Sequence, residues 1–97
     1  MQSIYKVTWS NEAHSGFAET LDYLENRFTE REVKKFVKAF DDQINRIISN
    51  PITFRTSKKS KTIRVALVSK LTSIYYTFNE ESIYLVAIRD NRKSPIQ

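Results

Sequence analysis

The sequence predicts an α+β domain in which a helix hairpin packs on one face of a mostly antiparallel sheet, in the order β-α-α-β-β-β. One strand pattern precedes two helical patterns, and three closely spaced strand patterns follow them. Connections this short join elements that are neighbours in space. The 97 residues suffice for a single domain, taken as 1–97, and one glycine and two prolines leave little room for long flexible loops.

A strand and a first helix are predicted at the start of the chain. Residues 4–9 alternate between two sets of side chains, which is typical of a half-buried strand. Ser10 follows as a helix N-cap, and apolar residues then recur at spacings of three and four over about 11–28. Gly16 lies inside this helix, where it costs about 1 kcal/mol relative to alanine.

The second helix has the clearest period in the sequence. Thr29 and Glu32 form a capping box at its start, and its apolar residues keep helical spacing up to Ile48. Pro51 ends it, because a residue that precedes proline avoids the α region. With almost no chain between them, the two helices are expected to form an antiparallel hairpin.

A basic loop over 52–61 and three strands, at about 62–68, 73–79 and 83–88, are predicted for the second half. Short turns between the strands require antiparallel pairing. The pleat predicts an apolar face against the helices, formed by Ile63, Val65, Leu67, Ile74, Tyr76 and Phe78. The opposite, uncovered face is the expected place for a site and carries Arg64, Ala66, Val68, Ser73, Tyr75 and Thr77.

The charge is concentrated in this second half. Residues 1–50 contain 7 Lys and Arg against 8 Asp and Glu, whereas residues 51–97 contain 9 against 3. No acidic residue occurs between Pro51 and Phe78. Such a field attracts nucleic acid or an acidic protein segment. A solvated surface that only keeps the protein soluble is the alternative.

Several classes of protein are not expected. Without cysteine, the chain forms no disulfide or thiolate metal site, which fits a reducing cytoplasm. No apolar run predicts a signal peptide or a membrane span. His14 is the sole histidine, and no cluster has metal-ligand spacing. No metal, cofactor or small-molecule substrate is therefore predicted.

The ordered set of motifs resembles the RelE/ParE superfamily of toxins. The motifs are Trp9-Ser10-x-x-Ala13 after a first strand, Asn50-Pro51 after a second helix, Ile63-Arg64 at the start of a strand, Lys70 before a strand with Tyr75-Tyr76, and the ending Asp90-x-Arg92-x-x-Pro95. The resemblance covers essentially the whole chain.

The resemblance implies a cytoplasmic toxin of a bacterial type II toxin–antitoxin system, similar to ParE-like plasmid stabilisation proteins. A cognate antitoxin would neutralise it, with an acidic segment folding along the helix hairpin and the basic sheet edge. ParE-type members inhibit DNA gyrase and are not nucleases. RelE-type members cleave mRNA on the ribosome with Lys, Arg and Tyr, or Glu and His, on the open sheet face and C-terminal end.

The residues of a RelE-type nuclease are only partly matched. Arg64 matches one cationic position, but Ala66 and Ser73 stand where that pattern has Lys and Arg, and the family's late Tyr has no match. If the chain were a nuclease, its catalytic residues would be Arg64, Tyr75, Arg89 and Arg92. This depletion favours gyrase inhibition over RNA cleavage.

Cations that flank the meander are the predicted contacts with the target or with nucleic acid. They are Lys58, Lys59, Lys61, Arg64, Lys70, Arg92 and Lys93. Three alternatives stay open: an unusual nuclease that uses Lys59, Lys61 and Arg64, a chain that keeps antitoxin binding without toxicity, and a basic nucleic-acid-binding module. The sequence contains no helix-turn-helix or RNP-like motif that would support the last.

Overall fold

The computed structural model describes residues 5–91 and contains the predicted elements in the predicted order. They are β1 (Lys6–Trp9), α1 (Asn11–Arg27), α2 (Glu30–Ser49), a short 3-10 turn (Pro51–Thr53), β2 (Arg64–Ser69), β3 (Thr72–Phe78) and β4 (Ser82–Asp90). The sheet order is β1-β4-β3-β2, with β1 parallel to β4 and the other pairs antiparallel. The fold class is therefore confirmed.

Both helices begin at the predicted N-caps. The Ser10 hydroxyl accepts the Ala13 N–H at 2.9 Å, and the Thr29 hydroxyl accepts the Glu32 N–H at 3.4 Å. Each bond satisfies a backbone donor that has no partner inside the helix. Because only Phe28 and the Thr29 cap separate α1 from α2, the helices form the predicted hairpin.

The main core lies between this hairpin and the sheet. Its buried residues come from both helices and from β2, β3 and β4: Ala13, Phe40, Ile47, Ala66, Ile74, Tyr76, Ile83, Leu85 and Ile88. Burying each large apolar side chain contributes about 1.5–3 kcal/mol. Tyr5, Val7 and Trp9 pack against the same core, so alternate residues at the start of the chain are buried, as expected for a half-buried strand.

A β-bulge in β4 lets α1 dock on the strand. Tyr75 lies opposite Ala87 and Tyr76 lies opposite Leu85, so Val86 is the additional residue. The bulge allows both Leu85 and Ile88 to face the helices. The Val86 carbonyl accepts the Ser10 hydroxyl at 2.6 Å.

Gly16 permits a close approach between α1 and β4. A Cβ added at this position would lie 2.0 Å from the Ile88 carbonyl oxygen. The helix therefore gives up some intrinsic stability so that it can pack directly on the strand backbone.

The faces predicted for β2 are wrong, whereas those of β3 are confirmed. Arg64 and Ala66 pair with Tyr76 and Ile74, so they lie on the helix side of the sheet. Val65 packs with Tyr75 and Ala87 on the other side. Both faces of β2 carry apolar residues, so alternation alone does not identify the buried face, and the pairing with β3 decides it.

Residues 5–91 contain no helix that is long and apolar enough to cross a membrane.

Candidate functional site

A continuous basic loop, residues 55–62, runs beside the edge strand β2. All eight of its residues are Arg, Lys, Ser or Thr. The Arg55 carbonyl accepts the Val65 N–H at 3.0 Å, and the Ser57 N–H donates to the Ile63 carbonyl at 2.6 Å. These bonds, with the bridge between Thr56 and Arg64, attach the start of the loop to β2 as a short additional strand segment.

Hydroxyl groups shape the tip of the basic loop. The buried Ser57 hydroxyl accepts the Lys59 N–H at 3.2 Å, and the Ser60 hydroxyl accepts the Thr62 N–H at 3.2 Å. Local side-chain bonds of this kind stabilise turns. Lys58, Lys59 and Lys61 are exposed, so the loop presents three ammonium groups from a hydrogen-bonded backbone.

Arg64 stabilises the base of the loop. Its Nη1 donates to the Ile52 carbonyl at 3.2 Å and to the Phe54 carbonyl at 2.5 Å. Its guanidinium lies 5.8 Å from the centroid of the Phe78 ring. Strand alternation predicts this cation on the uncovered sheet face, but the β2 register places it on the helix side, where it holds the segment that precedes the loop.

Tyr76 fixes the same segment from the core. Its hydroxyl donates to the Pro51 carbonyl at 2.6 Å. Burial raises the pKa of Tyr76 to about 12, and the nearby positive charge of Arg64 partly opposes that increase. Together, Tyr76 and Arg64 bond three carbonyls of the turn between α2 and the basic loop.

Tyr75 lies on the sheet face turned away from the helices, as predicted, but it is buried. Its residue exposure is 5%, and it packs with Val65 and Ala87. The neighbouring Ser73 is also buried, and its hydroxyl bonds the Asn91 side chain at 3.0 Å.

Arg89 forms an ion pair with Glu12 of α1. Its Nε is buried without a hydrogen-bond partner among the described residues. Arg89 lies opposite Ser73, whereas Arg64 lies opposite Tyr76, so the two arginines are on opposite sides of β3 and near its two ends. A cleft of about 280 Å³ lies beside Arg89, between α1 and the end of β4.

The remaining predicted contacts lie elsewhere. Lys70 is exposed in the turn between β2 and β3, at the opposite end of β2 from the basic loop. Arg92 and Lys93 lie outside the described residues. His14 is exposed and stacks on Trp9, with ring centroids 5.0 Å apart. Within residues 5–91, no three His, Asp or Glu side chains are grouped in a way that could hold a metal ion.

The chain matches no protein-family model and no curated protein sequence. Solved structures do match it. A chain of the chromosomal ParDE toxin–antitoxin system from P. aeruginosa superposes with a TM-score of 0.73 at 11% identity, over 92% of this chain and 98% of that one. The chain has the RelE/ParE-like toxin fold.

Two further structures share the RelE/ParE-like fold. The YoeB dimer from Staphylococcus aureus gives a TM-score of 0.60 at 16% identity, over 88% of this chain and 94% of that one. The E. coli DinJ–YafQ complex gives 0.54 at 12% identity, over 93% and 97%. Because the superpositions cover nearly all of each matched chain, the similarity extends over the whole domain and not over one motif.

Within this RelE/ParE-like fold, the structure brings together Lys58, Lys59 and Lys61, whereas it places Arg64 on the helix side of the sheet and Tyr75 on the other side. Arg55 also belongs to the basic loop, although it is not among the predicted contacts. The signal that identifies it is the uninterrupted run of eight cationic and hydroxyl side chains, a composition typical of phosphate contacts.

Proposed function

We propose that this chain is the toxin of a bacterial type II toxin–antitoxin system, neutralised by a cognate antitoxin, and that it inhibits DNA gyrase. The fold shared with ParDE, YoeB and DinJ–YafQ supports the toxin assignment and an antitoxin partner. Its site of action would be the cytoplasm, where gyrase acts.

One observation favours gyrase inhibition over RNA cleavage. Arg64, Tyr75 and Arg89, three of the four residues that a nuclease would use, already make contacts within the domain. RNA cleavage through the 2′-hydroxyl needs a general base, a general acid and cations at the scissile phosphate. Arg64 bonds two backbone carbonyls, Tyr75 is packed in an apolar cluster, and Arg89 is paired with Glu12. These three groups support the domain instead of converging on one substrate.

Inhibition of gyrase requires a binding surface and no acid–base pair. The exposed cations of the basic loop, beside an edge strand, supply such a surface for the complex of gyrase with its DNA. Because the loop backbone is already hydrogen-bonded, binding orders less backbone than it would in a flexible loop.

A direct test compares two activities of the purified chain. We expect inhibition of DNA supercoiling by gyrase at a concentration that leaves mRNA intact on translating ribosomes. In cells, induction should stop the incorporation of labelled thymidine before that of labelled methionine. The reverse order, together with ribosome-dependent mRNA cleavage, would contradict the proposal.

The Tyr75→Phe variant provides a matched control, because it keeps the packed ring and removes only the hydroxyl. Gyrase inhibition should be unchanged in this variant. If Tyr75 served as an acid or base in a nuclease, the loss of its hydroxyl would reduce the rate of mRNA cleavage about 10²–10⁴-fold.

A RelE-like mRNA endonuclease is the second candidate, and one observation favours it. Lys59 and Lys61 are exposed on the loop whose base Arg64 holds, so they are accessible to an RNA phosphate. Cleavage of mRNA that is lost in the Lys59→Ala and Lys61→Ala variants would establish this candidate. Soluble expression that affects neither DNA nor protein synthesis would leave antitoxin binding as the remaining role.

A further inference from the structure

We infer that the basic loop, residues 55–62, is a sequence-independent contact for the phosphates of duplex DNA. This inference rests on the proposed function in one respect. DNA is named as the source of the phosphates because DNA is the substrate that gyrase holds. The gyrase protein would then be recognised by another part of the surface.

The composition of the basic loop favours a phosphate backbone over an acidic protein. A disordered acidic segment that folds on binding needs apolar contacts that offset its ordering entropy. No apolar side chain lies between Phe54 and Ile63. Phosphate oxygens, by contrast, are bound by Lys, Arg, Ser and Thr, and these four types account for the whole loop.

The electrostatics are equally one-sided. Arg55, Lys58, Lys59 and Lys61 contribute four positive charges within seven residues and are all exposed. No ion pair involves any of them in the described part of the chain. Their charge is therefore not offset by a neighbouring carboxylate on the protein.

The basic face of α2 differs in this respect and provides an internal comparison. Arg31, Lys34, Lys35 and Lys38 also lie close together. However, Lys34 pairs with Glu30 at 3.7 Å and Lys38 pairs with Asp42 at 3.3 Å. The two surfaces carry similar numbers of cations, but the charge of the helix surface is locally balanced.

The salt dependence of DNA binding gives the magnitude. Four phosphate contacts correspond to a slope of about −3.6 in log K against log salt, since each contributes about −0.9. Between about 50 and 200 mM salt, affinity would fall about 150-fold. Removing three of the four cations would leave a slope of about −0.9 and a fall of about 3.5-fold.

The experiment measures fluorescence anisotropy of a labelled duplex of about 20 base pairs, longer than the loop's own footprint, with the purified chain across this salt range. The loop variant is Lys58→Ala/Lys59→Ala/Lys61→Ala, and the matched control is Lys34→Ala/Lys35→Ala/Lys38→Ala. Circular dichroism verifies that both are folded. We expect the loop variant to lose most of the slope and the control to keep it.

Equal slopes in the two variants would overturn the inference. So would displacement of the duplex by polyglutamate at equal charge concentration, which would identify an acidic protein as the partner, or stronger binding to double-stranded RNA. A gyrase assay on the same samples distinguishes failure of the proposed gyrase inhibition from failure of the inferred DNA contact. A loop-dependent slope without gyrase inhibition would refute the proposed function alone, whereas inhibition without such a slope would refute only this inference.

Discussion

Gly16 lies where α1 crosses the backbone of β4, and Gly16→Ala is expected to destabilise the domain. The added Cβ would lie 2.0 Å from the Ile88 oxygen, and both sides of the contact are backbone. A separation of at least 3.0 Å requires the helix and strand to move apart by about 1 Å. That movement strains the Ser10–Val86 bond and the packing of Ala13.

The magnitude follows from two opposing effects. Replacing glycine by alanine inside a helix stabilises it by about 1 kcal/mol when there is space. Overpacking of a tight contact costs typically about 1–3 kcal/mol, and sometimes more. Since no flexible side chain can move aside here, we expect the clash to prevail. The net loss should be about 1–2 kcal/mol, which lowers the Tm of a domain of this size by about 4–8 °C per kcal/mol.

Urea unfolding followed by circular dichroism measures this difference. The exposed Ala18 of the same helix supplies a control, because Ala18→Gly should cost about 1 kcal/mol through helix propensity alone. If Gly16→Ala instead raises the free energy of unfolding by a similar amount, the close contact between α1 and β4 is incorrect.

Four further substitutions test the side-chain hydrogen bonds that hold the fold together. Ser10→Ala should cost about 2 kcal/mol in urea unfolding, because it removes both a cap and the Val86 bond, whereas Thr29→Ala should cost about 1 kcal/mol or less. Arg64→Ala should cost about 2 kcal/mol and speed trypsin cleavage within residues 55–62. Burial raises the pKa of Tyr76 to about 12 in the folded protein, above its ordinary value of about 10. Between about pH 10 and 12 the unfolded chain therefore loses this proton while the folded protein keeps it. The free energy of unfolding should fall there by at most about 1.4 kcal/mol per pH unit. Tyr76→Phe should remove that part of the decline, and unchanged pH profiles would contradict it.

Local signals predicted most of the fold. The starts of both helices could be predicted because Ser10 and Thr29, short hydroxyl residues that favour N-caps, precede strongly periodic segments. The bulge at Val86 could not be predicted, because Leu85–Ile88 are all apolar and show no alternation that would reveal an additional residue. The same ambiguity reversed the faces of β2, since Val65 and Ala66 both find apolar neighbours.

The candidate site was predictable in its charge but not in its geometry. A run of Arg, Lys, Ser and Thr without carboxylates is visible in the sequence, and its exposure follows from its composition. The environment of Arg64 depends on strand register, which in turn depends on which apolar residues of β3 it faces. A shift of one residue in the pairing of β2 would move Arg64 from the helix side, where it supports the base of the loop, to the uncovered sheet face.

This distinction changes how a loss of function at Arg64 should be interpreted. The guanidinium already donates to two carbonyls, so its removal disturbs the loop backbone that Lys58, Lys59 and Lys61 share. Such a change lowers affinity for any partner of the loop while the number of phosphate contacts, and hence the salt slope, stays the same. If the basic loop binds phosphates as we infer, removing one of its lysines lowers both the affinity and the salt slope. Affinity alone therefore does not identify a contact residue in this domain, whereas affinity measured against salt separates the cations that bind the partner from the cation that positions them.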